Sequence, residues 1–326
     1  MQHLRSIHYL RGVAAVMIAI FHIFSNVDFM LDDIGRVYWM RGGVDIFFVI
    51  SGFVMVQSTA ARDISPREFF LHRAQRIVPL YWIATLAMMM QVQGQWTLKI
   101  YSLFFIPMMN PKVDMMQPIL EPGWTLNYEM FFYALFALSL FSREKYRFLA
   151  ITLVMGCLVA VGVATESSAT LEFFCRPIIL EFIAGMAIAK FGLRLPIVAL
   201  PAGLLAMILL QPVMADRLFT LGVPAILIVS GALSAEKRLP DWTLANLLGS
   251  ASYAIYLFHL LILGMIVKIW PLLDWGDEVF GAIAFTAMIA AGCGIYWSLE
   301  KPIIVFFAAL KSRRRQPDKS ALTALS

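Results

Sequence analysis

Arg11 and His22 are the first two residues whose types and spacing suggest chemistry. They are eleven residues apart, close to three helical turns, so a helix places them on nearly the same face. The helical rise puts His22 about 16 Å farther along, near the middle of an apolar segment. A histidine buried there is expected to be uncharged and able to accept a proton.

Both residues also have a structural interpretation. His22 could bond to a backbone carbonyl of a neighbouring helix, and Arg11 could extend to the membrane surface and set topology. An ionisable side chain is costly inside a bilayer, which favours a functional role for His22. Arg11 is a functional candidate only because it shares a helix face with His22.

Arg73 and Arg76 form a second candidate pair. They are three residues apart and share one side of a helix. Two guanidinium groups in this arrangement suit a phosphate-bearing ligand. Taken alone, topological charge and contact with lipid head groups are the simpler interpretation of these arginines.

Several other polar residues interrupt apolar segments. Asp45 could pair with Arg41 or orient another polar group. Two stripes recur at helical spacing, Thr125, Glu129 and Tyr133 in one segment and Ser252, Tyr256 and His259 in another. Glu129 could orient a histidine or a hydroxyl by hydrogen bonding, whereas His259 suits packing and chemistry equally.

The composition identifies the environment of these residues. Of the 326 residues, 60% are hydrophobic and only 14% are charged, and the mean hydropathy is +0.78. Soluble domains carry about 25% charged residues. This composition excludes a cytosolic enzyme, a disordered regulator and a nucleic-acid-binding module, and favours a protein embedded in the lipid bilayer. Neither the three cysteines nor any other motif predicts a metal site.

The apolar segments predict an all-α, polytopic membrane bundle with about ten transmembrane helices, because one crossing takes about 20 residues. The predicted segments are 10–30, 43–60, 76–93, 124–141, 147–164, 176–191, 196–214, 218–234, 250–270 and 279–300. Segment 98–109 is too short to cross and is expected to be interfacial or re-entrant. Trp39, Trp96, Trp124 and Trp275 suit an interfacial belt or stacking on a ligand.

The basic residues predict the orientation. With the N-terminus in the cytoplasm, 19 of the 26 Lys and Arg residues flank the inner ends of the segments. Both termini are then cytoplasmic, with residues 1–310 forming one transmembrane domain and 311–326 a flexible basic tail. Glu181 and Glu300 are placed near inner helix ends, and Glu300 is expected to pair with Lys301.

Five motifs in order carry a resemblance to a known family. They are Arg11-x10-His22, GVDIFFVISGF at 43–53, RxxR at 73–76, WTLNYE at 124–129 and SYAIYLFH at 252–259. This set resembles the acyltransferase-3 family of integral membrane proteins, especially its exopolysaccharide acetyltransferases of the ExoZ type. The resemblance implies transfer of an acyl group, often acetyl from acetyl-CoA, to hydroxyls of bacterial cell-surface carbohydrates or their lipid-linked precursors.

The resemblance also implies roles for individual residues. His22 would be catalytic with Arg11 as its motif partner, and Arg73 and Arg76 would bind the donor acetyl-CoA. Glu129, Asp45 and the remaining stripe residues carry over less directly. The implied location is the bacterial inner membrane. Two other hypotheses are a transporter or flippase of a carbohydrate intermediate, suggested by buried charges, and a scaffold for a polysaccharide synthase.

Overall fold

The structure is a computed structural model that describes residues 4–25, 27, 30, 34–60, 64–165, 168–211, 213–273, 275–276 and 279–315. Within these residues the protein is built almost entirely from helices. Two short strands, β1 (Met109–Asn110) and β2 (Met115–Met116), pair antiparallel. The predicted all-α fold class is therefore confirmed for the described part of the chain.

The helices follow the apolar segments of the sequence. They are α1 (Arg5–Ser25), α2 (Ile34–Val37), α3 (Gly42–Thr59), α4 (Pro66–Gln91), α5 (Trp96–Leu103), α6 (Gly123–Ser139), α7 (Glu144–Ala164), α8 (Ala169–Phe174), α9 (Leu180–Phe191), α10 (Ala199–Leu209), α11 (Val223–Ala235), α12 (Thr243–Ile269), α13 (Phe280–Ile295) and α14 (Lys301–Arg315). Two π-helical turns, Leu218–Gly222 and Tyr296–Glu300, lead directly into α11 and α14.

Six helical stretches among the described residues are long and apolar enough to cross a membrane. They are Arg5–Ser25, Ile34–Thr59, Glu144–Ala164, Leu218–Arg238, Thr243–Leu272 and Phe280–Lys311. The other four predicted segments, 76–93, 124–141, 176–191 and 196–214, also contain helix, but these helices are shorter or more polar. Segment 98–109 overlaps α5, which begins at Trp96 and has only eight residues, too few to cross.

Small residues bring the central helices into close contact. α1 packs on α3 and α12, and α3 packs on α9. A Cβ atom added at Gly12 would lie 2.9 Å from the backbone nitrogen of Gly249 in α12, and one added at Gly43 would lie 2.5 Å from the carbonyl oxygen of Ala14 in α1. Glycine at such crossings lets membrane helices approach closely. The crossings gather the candidate residues of α1, α3 and α12 into one group.

The bundle has two ends, named here from α1. At the first end, where α1 begins, the backbone amides of Arg5 and Ser6 donate hydrogen bonds to the carboxylate of Glu236 at 2.9 and 2.8 Å. α12 also starts at this end, because His8 Nε2 lies 3.0 Å from the carbonyl oxygen of Asn246. The second end is where α1 finishes at Ser25.

The last helical stretch continues farther than the sequence predicts. Lys301 does not pair with Glu300; its ammonium lies 3.8 Å from the centre of the Trp297 ring. The helix runs on through α14, where Lys311 Nζ lies 3.0 Å from Glu68 Oε1 in α4. Residues 311–315 of the predicted tail are therefore helical, and 316–326 lie outside the described residues.

The crossing of α3 and α9 depends on Gly52 and Gly185. A Cβ atom at Gly185 would overlap the carbonyl oxygen of Val49, and one at Gly52 would overlap that of Phe182. We expect Gly185→Ala to lower the melting temperature of the purified protein in detergent, because forcing the helices apart costs about 1–3 kcal/mol. Gly156→Ala in α7, where an added Cβ meets nothing within 4 Å, is the matched control. Equal melting temperatures for the two variants would contradict this expectation.

Candidate active site

Three of the predicted arginines lie around one cavity at the first end of the bundle, which we call the arginine cavity. It has a volume of about 110 Å³, and its lining includes Arg11 of α1 with Arg73 and Arg76 of α4. Arg73 donates a hydrogen bond to Ser58 Oγ at 2.8 Å and lies over the ring of Phe69. Arg76 is exposed, so the cavity opens at this end. The side that Arg73 and Arg76 were predicted to share therefore faces a cavity.

A carboxylate network faces the same cavity. The Tyr133 hydroxyl donates a hydrogen bond to Oε1 of Glu129, and Ser51 Oγ donates to that oxygen at 3.3 Å. Thr125, Glu129 and Tyr133 all line the cavity, so the stripe predicted for this helix does face one side. Glu129 is held near the arginines rather than near His22. The structure thus does not support Glu129 as an orienting partner of that histidine.

His22 lines a second cavity, of about 750 Å³, which we call the histidine cavity. It lies in the last turn of α1, not near the middle of a span as predicted, because α1 runs from Arg5 to Ser25. Arg11 does not line this cavity. About 16 Å of helical rise separates the two residues, so Arg11 is not a direct partner of the imidazole.

The imidazole of His22 lies beside a second histidine. Its Nδ1 is 3.3 Å from Ser25 Oγ, and its ring centre is 5.0 Å from that of His259 in α12. His259 is fully buried, and its Nδ1 lies 2.6 Å from the carbonyl oxygen of Tyr256. A carbonyl only accepts hydrogen bonds, so this Nδ1 carries a hydrogen. Among the described residues, Nε2 of His259 has no hydrogen-bond partner, and His259 lines neither cavity.

Among the residues that the structure describes, Tyr256 and Val44 line both cavities. The Tyr256 hydroxyl lies 2.7 Å from Thr125 Oγ1 and 3.0 Å from the carbonyl oxygen of Pro122. Ser252 is fully buried and donates to a backbone carbonyl of its own helix. The stripe predicted for α12 is thus divided, with Tyr256 at the cavities and Ser252 in the packed interior.

Asp45 forms an ion pair with Arg217, a residue that sequence reasoning missed. Asp45 is fully buried, and its carboxylate accepts hydrogen bonds from Nη2 and Nε of Arg217 at 2.7 and 3.2 Å. Arg41, one partner proposed from the sequence, instead contacts the ring and hydroxyl of Tyr38. The paired residues are 172 positions apart, and Arg217 lies just before a helix. Helical spacing relates only residues that are close in sequence, so it could not predict this pair.

The histidine cavity also contains charged and aromatic side chains among aliphatic ones. In the described part of the chain its charged lining residues are Arg41, Asp114, Glu121, Glu172, Arg176, Glu181, Asp216 and Arg217. Of the candidate tryptophans, Trp124 lines this cavity. Glu181 lies at the second end, not at the end predicted, because α9 begins there. Carboxylates accept hydrogen bonds from hydroxyls, and an indole presents a flat apolar face. The volume is within the range of about 300–1,000 Å³ that is usual for small-molecule sites.

The two cavities suit two different steps of one reaction, binding of a charged group and chemistry at an imidazole. Guanidinium groups at the first end can bind phosphate. An imidazole at the second end can act as a base or a nucleophile. A molecule with a charged head and a long arm could therefore be bound at one end and react toward the other.

This bundle defines an integral membrane protein in which the candidate residues line two adjoining cavities. The family model described as "Acyltransferase domain" matches residues 4–298, and the chain belongs to this acyltransferase-3 family. It is 38% identical over 284 residues, or 80% of this chain and 89% of the relative, to the exopolysaccharide production protein ExoZ of Rhizobium meliloti (strain 1021). No solved structure matches the chain. The resemblance inferred from the five sequence motifs is confirmed.

Removing one member of the Asp45–Arg217 pair should destabilise the protein more than removing both. Asp45→Ala removes the carboxylate that is hydrogen-bonded to the guanidinium, and breaking a fully buried pair in this way costs on the order of 3–5 kcal/mol. The side chain of Arg217 is 28% exposed, which places the expected loss at the lower end. Thermal unfolding of the wild type, Asp45→Ala, Arg217→Leu and the double variant measures the coupling. If the double variant lost as much stability as the two single variants together, Asp45 and Arg217 would not be coupled.

Proposed function

We propose that the protein transfers an acetyl group from acetyl-CoA to a hydroxyl of an exopolysaccharide or its lipid-linked precursor. The arrangement of the two cavities carries this proposal. Three arginines line one cavity and His22 lines the other, with Tyr256 and Val44 at their junction. Family membership and the exopolysaccharide relative favour acyl transfer over transport or scaffolding.

In the proposed topology the chain crosses a bacterial inner membrane ten times, with both termini in the cytoplasm. α4, α6, α9 and α10 would supply the four crossings beyond the six long apolar stretches. The excess of Lys and Arg on one side supports this orientation. The first end of the bundle then faces the cytoplasm, which supplies acetyl-CoA, and the second end faces outward.

The arginine cavity would hold the reactive end of the donor. At about 110 Å³ it is smaller than the usual range of about 300–1,000 Å³ for small-molecule sites, so it suits the thioester arm and not the nucleotide. Arg73 and Arg76 would bind the phosphates at the open mouth. Arg11 would lie beside the arm. Glu129, held by Tyr133, would balance part of this positive charge.

His22 would act as the general base. The acceptor hydroxyl gives its proton to the neutral imidazole while its oxygen attacks the thioester carbonyl. The carbon–sulfur bond breaks as the ester bond forms, and the proton passes from the imidazolium to the departing thiolate of CoA. General-base catalysis contributes about 10²–10⁴-fold. An acyl-histidine route, in which His22 attacks the thioester first, uses the same two cavities.

A carbohydrate acceptor suits the histidine cavity. Exposed Glu172 and Asp216 lie on its lining, so the cavity is open at the second end. Their carboxylates can accept hydrogen bonds from sugar hydroxyls. Trp124 offers a flat face for a sugar ring. In the proposed topology the acceptor therefore enters from outside the cytoplasm.

His22→Ala and His22→Gln should abolish acetylation of the exopolysaccharide and leave the protein folded, because neither side chain can take up the proton. NMR spectra of polysaccharide from cells that carry each variant measure the acyl content and identify the acyl group. His72→Ala is the control, since His72 lies outside both cavities, 2.8 Å from Lys311 Nζ.

Wild-type acyl content with His22→Ala would remove His22 from catalysis. Unchanged acyl content in cells that lack the protein altogether would overturn the proposed function.

The Arg73→Ala/Arg76→Ala double variant should raise the KM for acetyl-CoA about tenfold or more, because hydrogen bonds to charged groups contribute about 1.5–3 kcal/mol. Steady-state kinetics with purified protein, varying donor and acceptor separately, measures this. Arg67→Ala is the control, because Arg67 is exposed on the same helix and lines neither cavity. If the donor KM did not change, Arg73 and Arg76 would have a topological role only.

A further inference from the structure

The two cavities adjoin inside the bundle, and we call the place where they meet the junction. Within the described part of the chain, Val44 of α3 and Tyr256 of α12 are common to both linings. The two cavities adjoin at these side chains, and the proposed route of the acyl group from the arginine cavity to His22 passes them. Tyr256 is 6% exposed and Val44 is 7% exposed, so the junction lies inside the bundle and not at its lipid-facing surface.

We propose that Tyr256, together with Val44, separates the donor from the acceptor cavity and limits the size of the acyl group that reaches His22. This inference rests on the proposed function, because it needs an acyl donor in one cavity and an acceptor in the other. Tyr256 is then a specificity-determining residue and not an acid or base in the reaction.

The Tyr256 side chain is held by two other helices. Its hydroxyl lies within hydrogen-bonding distance of Thr125 Oγ1 in α6 and of the carbonyl oxygen of Pro122, at 2.7 and 3.0 Å. Its ring meets the ring of Phe47 in α3 nearly edge-on, with centres 5.8 Å apart. A side chain of α12 is thereby fixed against α3 and against the start of α6. Breaking the hydroxyl contacts would free the ring to move away from the junction.

A fixed aromatic ring at the junction has a consequence for the donor. An acetyl group carries a single methyl, whereas a butyryl group carries two further methylenes past the same ring. One extra methylene in a close-fitting apolar pocket changes specificity by about 10–200-fold. The apolar residues Phe47, Phe48 and Leu126 line the arginine cavity beside this ring.

The same ring also affects water. The histidine cavity is large and open, whereas the thioester would lie in the smaller arginine cavity. Until the acyl end of the donor passes the junction, the Tyr256 ring keeps water of the histidine cavity away from the thioester in the arginine cavity. Excluding water suppresses side reactions such as hydrolysis. Loss of the ring should therefore raise hydrolysis of acetyl-CoA in the absence of an acceptor.

The test compares acetyl-CoA and butyryl-CoA as donors for the purified full-length protein in detergent, with its exopolysaccharide as acceptor. In Tyr256→Ala we expect the butyryl-to-acetyl ratio of kcat/KM to rise about tenfold or more over the wild type. Hydrolysis without acceptor should rise with it. Tyr256→Phe keeps the ring and loses the hydroxyl contacts, so its hydrolysis should rise while its ratio stays nearer to that of the wild type.

Phe258→Ala is the matched control. It removes a ring of similar size from the same helix, is 8% exposed and lines neither cavity. It should keep the wild-type donor ratio. If Tyr256→Ala does not fold, Val44→Ala widens the junction from α3, and a smaller rise in the same ratio is expected.

Three outcomes would overturn the inference. A folded Tyr256→Ala protein with the wild-type ratio would do so even while acetyl transfer by the wild type upholds the proposed function. An equal rise in Phe258→Ala would show general loosening of the bundle. If the wild type transferred no acyl group from either donor, the proposed function would fail, and this inference with it.

Discussion

A charged group among apolar helices needs a counter-charge, a hydrogen-bond partner or water, since hydrocarbon supplies none of these. This requirement decides how the centre of the bundle is arranged. Asp45 meets it through the two bonds from Arg217, and Glu129 meets it through Tyr133 and Ser51. Arg73 meets it through a neighbouring hydroxyl and aromatic rings. Each of these three charges has at least one partner from another segment of the chain, so the polar contacts also help to place the helices around the cavities.

α3 connects the parts of the site. It presents Asp45 near the second end, Val44 at the junction and Ser51 in the arginine cavity. Its glycines, Gly43 and Gly52, allow α1 and α9 to approach at backbone distance. A side chain at either glycine would push a neighbouring helix outward and change the spacing between the cavities. The motif GVDIFFVISGF thus contains the glycines for close helix packing and also the three residues that α3 contributes to the cavities and the ion pair.

Local patterns in the sequence predicted much of the site. The stripe of Thr125, Glu129 and Tyr133 faces one cavity because residues four apart lie on one side of a helix. The same rule grouped Ser252 and His259 with Tyr256. In the structure Ser252 and His259 pack inside the bundle, whereas Tyr256 lies at the junction. Spacing identifies a shared helix side, but it does not say whether that side meets a cavity or another helix. The depth of His22 was misjudged for a related reason, since hydropathy does not mark the end of α1 sharply.

The sequence by itself determined that this is a helical membrane protein, the family to which it belongs, and which ionisable residues needed an explanation. Those conclusions depend on composition, short-range periodicity and ordered motifs, all of which are local properties of the chain. The tertiary structure alone decided that Asp45 pairs with Arg217, that Arg11 and His22 face different cavities, and that Tyr256 lies between them. These facts depend on how helices far apart in sequence pack together, and packing is set by contacts that no local pattern encodes.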